Sequence, residues 1–305
     1  MARLEDRLAR NVDGPFYVDR SCIDCETCRL VDPRTFGRDD DVGMSIVHAQ
    51  PSNDAEALRA AMALVACPTS SIGVTDRADT LDVKAQVKAA SRAFPELLAD
   101  DVHYCGYASE RSYGASSYFV RRPKERGGNV LIDSPRAAKP LIETLRAMGG
   151  VSTMFLTHRD DVADHALFHQ HFGCERILHR DDVSSSTRDV ERKLQGEQPI
   201  AIDQDFTVIP VPGHTPGSAA LLYRPAGREG VLFTGDHLWW STEARALEAS
   251  RSVCWYSWGA QTRSMERLLA HSFSWVLPGH GAPHRAESES AMHHALSALV
   301  ASMHR

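Results

Sequence analysis

Three cysteines spaced two residues apart, Cys22-Ile-Asp-Cys25-Glu-Thr-Cys28, and a fourth followed at once by proline, Cys67-Pro68, constrain this chain more than any other feature. A C-x-x-C-x-x-C run presents three thiolates from one tight loop, which is what an iron–sulfur cube needs at three of its four corners. Zinc sites also use C-x-x-C hooks but normally pair two of them, and no second hook occurs here. The remaining ligand must come from afar, and Cys67 is the candidate. Cys105, Cys174 and Cys254 are scattered and read as small buried hydrophobes. Seven cysteines in 305 residues are too few for a disulfide scaffold.

The cysteine pattern resembles bacterial-type ferredoxins, in which a second motif, C-x2-C-x2-C-x3-C-P, lends its last cysteine to the first cluster. Counting back from Cys67 by that spacing lands on Ala63, Ala60 and Ala57, so the second cluster's own ligands are missing. The same stretch reads as a helix with Asn53 as N-cap and Glu56 at the capping-box position. The resemblance, which covers residues 12 to 80, implies a single [4Fe-4S] cluster held by Cys22, Cys25, Cys28 and Cys67.

That leaves most of the chain to explain. At 305 residues, 43% hydrophobic and 24% charged, about two domains are expected. A net charge of −6 offers no footprint for nucleic acid or an anionic membrane, and no apolar run is long enough for a span. The amino terminus, MARLEDRLAR, lacks an apolar signal core, so the expectation is a cytoplasmic protein. The expected organisation is a small α+β ferredoxin-like domain over 1–82, a linker helix within 83–99 running from Lys84 to Leu98, and a second domain over 100–305.

In that second part, strand-like segments repeatedly end at a histidine or aspartate. Met154 to Thr157 leads to His158, Phe206 to Val211 to Pro212-Gly213-His214, Val231 to Thr234 to Gly235-Asp236, and Trp275 to Leu277 to Pro278-Gly279-His280. Side chains at strand ends are held by a sheet yet face a cleft, and imidazoles with carboxylates suit zinc, iron or manganese. A helix from Pro140 to Met148 separates the strands at Asn129–Asp133 and Met154–Thr157.

This ordered series resembles the metallo-β-lactamase superfamily across residues 100 to 305, which implies an αββα sandwich. By that resemblance His214 binds a first metal, Asp236 bridges two, and His280 binds the second. The family's H-x-H-x-D-H motif is altered, because the chain reads His158-Arg159-Asp160-Asp161-Val162-Ala163-Asp164-His165. Either the loop is lengthened and Asp164 with His165 complete the site, or Asp160 and Asp161 supply carboxylates and His165 begins the next helix. The favoured assignment is a first site of His158, Asp160 and His214, with Asp164 or His165 joining Asp236 and His280. Asp236 and Asp164 are the expected catalytic groups. Asp161 reads as a helix-start carboxylate, and His169, His171, His179, His293 and His294 as surface residues. His237 is open between a substrate contact and a loop residue. The aromatic run of Trp239, Trp240, Trp255, Tyr256 and Trp258 is open between core packing and a pocket wall or a seat for the ferredoxin segment. Residues 181 to 199 read as a surface loop or insertion.

The leading expectation is a metal-dependent hydrolase in which metal-bound hydroxide attacks a small ester, thioester or lactone, using one or two divalent ions such as zinc, iron or manganese. The alternative is an oxidoreductase. The superfamily's flavodiiron branch also places a carboxylate at the position of Asp160 and takes electrons from an attached redox domain. An electron donor or acceptor protein would then be a partner beside the small-molecule substrate. A sensor or electron carrier ranks last, because it leaves four metal-type strand ends without a purpose.

Overall fold

The computed structural model describes residues 1–75 and 82–304. It divides into two compact units, one of Met1–Val120 with Pro135–Gly150, the other of Arg121–Ser134 with the chain from Val151 onward. The end of the expected ferredoxin segment, residues 76–81, lies outside the described residues.

The first unit runs β1 (Phe16–Val18), α1 (Thr27–Val31), β2 (Phe36–Asp39), β3 (Met44–Val47), α2 (Asp54–Ala66), β4 (Ile72–Val74), α3 (Val83–Ala90), β5 (Glu96–Ala99), β6 (Val102–Tyr104), β7 (Tyr118–Val120) and α4 (Lys139–Ala147). β1 pairs antiparallel with β4, β2 with β3, and β5–β6–β7 form an antiparallel meander. The start of α2 follows the sequence reading closely: Asn53 Oδ1 accepts from Glu56 N at 3.0 Å. The reciprocal bond is displaced by one residue, the Glu56 carboxylate accepting from Ser52 N and Oγ at 2.8 Å. Ala57, Ala60 and Ala63, standing where a second cluster's cysteines would be, are fully buried. Cys67 is the C-cap of α2, and Pro68 cannot continue the helix.

The expected helix from Lys84 to Leu98 is shorter. α3 ends at Ala90, and Glu96–Ala99 is a strand. A residue preceding proline is disfavoured in the helical region, so Pro95 marks a boundary and not a late helical position.

In the second unit, β8 (Val130–Ile132), β9 (Thr153–Phe155), β10 (Glu175–His179) and β11 (Arg192–Leu194) pair in parallel, and α5 (His165–Phe172) connects β9 to β10. A six-stranded sheet follows in the order β12 (Ile200–Ala201), β13 (Phe206–Pro210), β14 (Ala219–Tyr223), β15 (Val231–Gly235), β18 (Trp275–Pro278) and β19 (His284–Arg285), with the hairpin β16 (Trp239–Ser241) and β17 (Ala246–Glu248) in the connection from β15 to β18. Ile209, Ala220, Leu222, Leu232 and Val276 pack with residues of α6 (Trp258–Leu268) and α7 (Glu289–Met303). Their strand neighbours Val208, Leu221, Phe233 and Leu277 are also fully buried. Both faces of this sheet are therefore covered, as in the inner layer of a sandwich.

Residues 181 to 199 are not a plain surface loop. They contain β11, and Thr187 and Val190 are buried. Low apolar content hid a three-residue strand that pairs in parallel with β10. Cys105 and Cys174 are buried, whereas Cys254 is only half-buried and its thiol donates to Gly213 O at 3.1 Å.

Candidate metal centre and cluster loop

The ends of β9, β13, β15 and β18 converge. Asp236 Oδ2 lies 3.6 Å from His158 Nε2, 3.8 Å from His214 Nε2 and 3.7 Å from His280 Nε2. Two groups of possible ligands share this carboxylate: His158, His214 and Asp236, and Asp161, Asp236 and His280. Asp160 adds an oxygen 3.4 Å from His214 Nε2 and 4.0 Å from His158 Nε2.

Both buried imidazoles are locked with Nε2 inward. His158 Nδ1 meets Thr157 Oγ1 at 3.0 Å, and that hydroxyl also contacts both oxygens of buried Asp133 at 3.0 Å. His214 Nδ1 donates to the carbonyl of Val253. Such outer partners fix the tautomer that leaves Nε2 free for a metal. Asp182, which sequence reading assigned to a loop, is buried and ties the two ligand loops together. Its carboxylate accepts from Arg159 N at 3.0 Å, Thr215 Oγ1 at 2.5 Å and Gly217 N at 2.8 Å. Neither Asp133 nor Asp182 sits in a motif, and no signal in the sequence distinguishes them from other aspartates.

The altered motif resolves differently from the favoured assignment. Asp161, read as a helix-start carboxylate, is buried beside Asp236 and His280, while α5 starts four residues later. Asp164 is the N-cap residue of α5, its backbone N–H donating to Ser134 Oγ at 3.0 Å. His165 is turned toward β10, where its Nδ1 lies 3.1 Å from Arg176 Nη1. Asp160 and Asp161 are thus brought to the centre, and Asp164 and His165 are not in either group. His169 and His179 carry backbone contacts, at 2.9 Å to Cys174 O and 3.1 Å to Gly196 O, and serve the scaffold.

The aromatic run divides. Trp240 stacks on His284 at 3.6 Å, whereas Trp255 and Tyr256 are 66% and 57% exposed and their backbone N–H groups bond His214 O at 3.1 Å. The Trp255 ring lies 6.2 Å from that of His214, whereas Tyr256 lines a separate cleft with His179, Asp181 and Arg263. His237 is fully buried, and burial, then the neighbouring His214 and His158, push its pKa down to about 3.

A family model described as the 4Fe-4S single cluster domain of Ferredoxin I matches residues 18–74. Hydroxyacylglutathione hydrolase of Anaeromyxobacter dehalogenans (strain 2CP-C) is 32% identical over 136 residues, 43% of this chain and 49% of that protein. The protein of the same name from Xanthomonas campestris pv. campestris (strain B100) is 32% identical over 116 residues, 36% of this chain and 42% of its own. The chain spans about half the length of the curated relatives it matches. Among solved structures, BLEG-1 B3 metallo-β-lactamase has a TM-score of 0.47 at 19% identity, covering 60% of this chain and 93% of that one. A metallo-β-lactamase from Staphylococcus aureus subsp. aureus COL has a TM-score of 0.48 at 16% identity, covering 68% and 66%. The chain therefore carries a match to a single-cluster ferredoxin domain over residues 18–74 and a likeness over 136 residues to part of a hydroxyacylglutathione hydrolase.

The residues of the second domain fit divalent metals. Buried His158 Nε2, His214 Nε2, Asp161 Oδ2 and Asp236 Oδ1 have no hydrogen-bond partner, and all four belong to the two ligand groups. Orphaned polar atoms of this kind are costly unless something binds them. Donor atoms bonded to one tetrahedral metal at about 2.1 Å stand roughly 3.4 Å apart, close to the separations here. Burial, then Asp236, Asp133 and Asp160, hold the Asp161 pKa well above the usual carboxylate range, a repulsion that a cation would relieve.

In the ferredoxin domain the fit is to a cluster and not to a single zinc. Sulfurs around one zinc stand about 3.8 Å apart. Among the described residues, no three of these thiols lie within 4.8 Å of one another. A cube spreads its ligands over four irons and needs the wider spacing. Burial pushes the Cys28 thiol up to about 12, with the Cys67 and Cys25 sulfurs close enough to raise it further. Ser71 N donates to Cys67 Sγ at 3.3 Å.

Proposed function

We propose that the chain is an iron–sulfur-containing metal-dependent hydrolase acting on an acylated thiol or another small activated acyl compound. The sharing of Asp236 between two ligand groups carries this reading, since it is the arrangement a carboxylate-bridged metal pair requires. Two divalent ions held there would polarise a carbonyl oxygen and acidify water at the site. His158, His214, Asp160 and Asp236 would hold one, and Asp161, Asp236 and His280 the other. Asp133 and Thr157 keep the His158 ring oriented, and the Val253 carbonyl does the same for His214. The exposed Trp255 ring, 6.2 Å from that of His214, offers an apolar surface against which an acyl or thiol portion can rest. The relatives named hydroxyacylglutathione hydrolase favour a thioester over a lactone. In this division of labour residues 1–82 hold the cluster and 100–305 the metals.

The oxidoreductase reading keeps one specific support: Asp160 gives the first ligand group a second carboxylate, and a cluster domain precedes it. Metal analysis of anaerobically prepared protein, with assays of S-acyl glutathiones, decides between them. Four irons per chain with zinc and thioester cleavage support hydrolysis. About six irons, no cleavage, and consumption of oxygen, nitric oxide or persulfide that needs a reductant would overturn it in favour of the redox reading.

A further inference from the structure

We propose that the cluster cradle is completed by a strap outside the ferredoxin segment, Ala108–Gly114, with Tyr113 and Gly114 as positioning residues that set the cluster's exposure and reduction potential. The proposal rests on the reading of Cys22, Cys25, Cys28 and Cys67 as cluster ligands, and all the contacts that carry it lie within the first compact unit.

The strap is pinned at both cysteine segments. Ala108 N donates to Ala66 O at 3.1 Å, one residue before Cys67. Tyr113 Oη donates to Ile23 O at 2.5 Å, between Cys22 and Cys25. Thr27 Oγ1 donates to Gly114 O at 3.1 Å and lies 3.3 Å from Cys25 Sγ, so its side chain is packed between the strap and a ligand sulfur. Residues 18–74 carry all four ligand cysteines but none of the strap.

Gly114 shows how close the approach is. A Cβ there would fall 2.6 Å from Cys25 Cβ and 2.9 Å from Cys25 Sγ, and the residue sits at φ +89°. Both facts exclude a side chain unless the strap or the cysteine moves. Backbone packed against a ligand sulfur excludes water from it, and solvent exposure with hydrogen bonding to the sulfurs is what tunes cluster potentials. Tyr113 is itself in the left-handed region at φ 49°, a conformation that its bond to Ile23 O helps to hold.

The test uses the anaerobically purified full-length protein, Gly114→Ala and Tyr113→Phe. Iron and sulfide content, the midpoint potential from an EPR-monitored dithionite titration, and the decay of visible absorbance in air are measured for each. Gly114→Ala should lose the cluster roughly tenfold faster, the order of effect that outer partners have on bound metals, with a displaced midpoint potential. Tyr113→Phe should move both quantities in the same direction by less. If Gly114→Ala does not fold, Tyr113→Phe alone decides, because removing one hydroxyl leaves the packing intact. Unchanged potential and unchanged decay in every folded variant would overturn the strap while leaving the cluster reading standing. A parent protein without iron and sulfide would overturn the cluster reading and the strap with it.

Discussion

Asp161 and Asp164 are three residues apart, and their environments assign them opposite roles. Asp161 Oδ2 is buried without a partner beside Asp236, whereas Asp164 opens a helix. Asp161→Asn should therefore deplete divalent metal from the second domain about as severely as His280→Ala, by 10-fold or more in affinity, while Asp164→Ala keeps near-parental metal-to-protein ratios. Elemental analysis after dialysis against a weak chelator reads this directly, and metal retained by Asp161→Asn but lost from Asp164→Ala would reverse the assignment. Glu191 gives a pH-dependent case away from the centre. Its carboxylate takes a two-point grip on Arg176, at 3.0 Å to Nε and 2.6 Å to Nη2, and this hydrogen bonding holds its pKa at about 2. A depressed acid pKa contributes stability above the unfolded value near 4.5, and that contribution is lost as the pH falls towards about 2. Glu191→Gln should cost about 1 kcal/mol at pH 7, a figure already reduced for solvent screening, and the two denaturation curves should converge at low pH. A difference that stays constant from pH 7 to pH 3 would mean that the loss is one of packing and not of charge.

Helix starts and strand-end loops carry the next level of organisation. Asn53 closes the first turn of α2 with a side-chain bond to Glu56 N, and α2 delivers Cys67 at its end. Asn53→Ala should destabilise the first unit by about 1 kcal/mol, measured by chemical denaturation, with the visible spectrum preserved at low denaturant. The loop after β18 works by close approach. A Cβ at Gly279 would fall 2.5 Å from Asp236 Oδ1 and 2.7 Å from Asp161 Oδ2, and Gly279 N donates to Gly235 O at 2.7 Å. Gly279→Ala should consequently displace both carboxylates and cost at least about 10-fold in metal affinity, with little loss of secondary structure by circular dichroism. Parental metal content in that variant would show that the loop relaxes freely.

Across the whole molecule, the two cofactor sites should govern different parts of the unfolding profile. Metal that binds only the folded state stabilises by about 4 kcal/mol at a free concentration near 1,000 times its Kd, and chelation removes that contribution. Chelation of the divalent ions should lower the melting temperature of the second unit without bleaching the cluster, and oxidative destruction of the cluster should act first on the unit that holds the four cysteines. Calorimetry combined with absorbance at the cluster band separates the two events, and a single transition shifted equally by both treatments would show that the units unfold together.

The cysteine spacing, the N-cap at Asn53 and the strand-end positions of His158, His214, Asp236 and His280 were legible in the chain because they depend on neighbours only a few residues away. Local spacing decides how many thiols a loop can present, and helix capping is settled within one turn. The choice among Asp160, Asp161, Asp164 and His165 was not legible, because a carboxylate near a helix start satisfies local rules whether or not a metal lies beyond it. Burial against Asp236 and His280, which come from strands more than 70 residues away, made Asp161 part of the centre. Asp133 and Asp182 were invisible for the same reason: each matters only through side chains and backbone groups brought to it by other loops. The sequence by itself determined which chemical groups were present and which ones the chain holds at loop starts and strand ends. Tertiary structure alone decided which of them meet, because a metal site depends on distances of a few ångströms between atoms far apart along the chain.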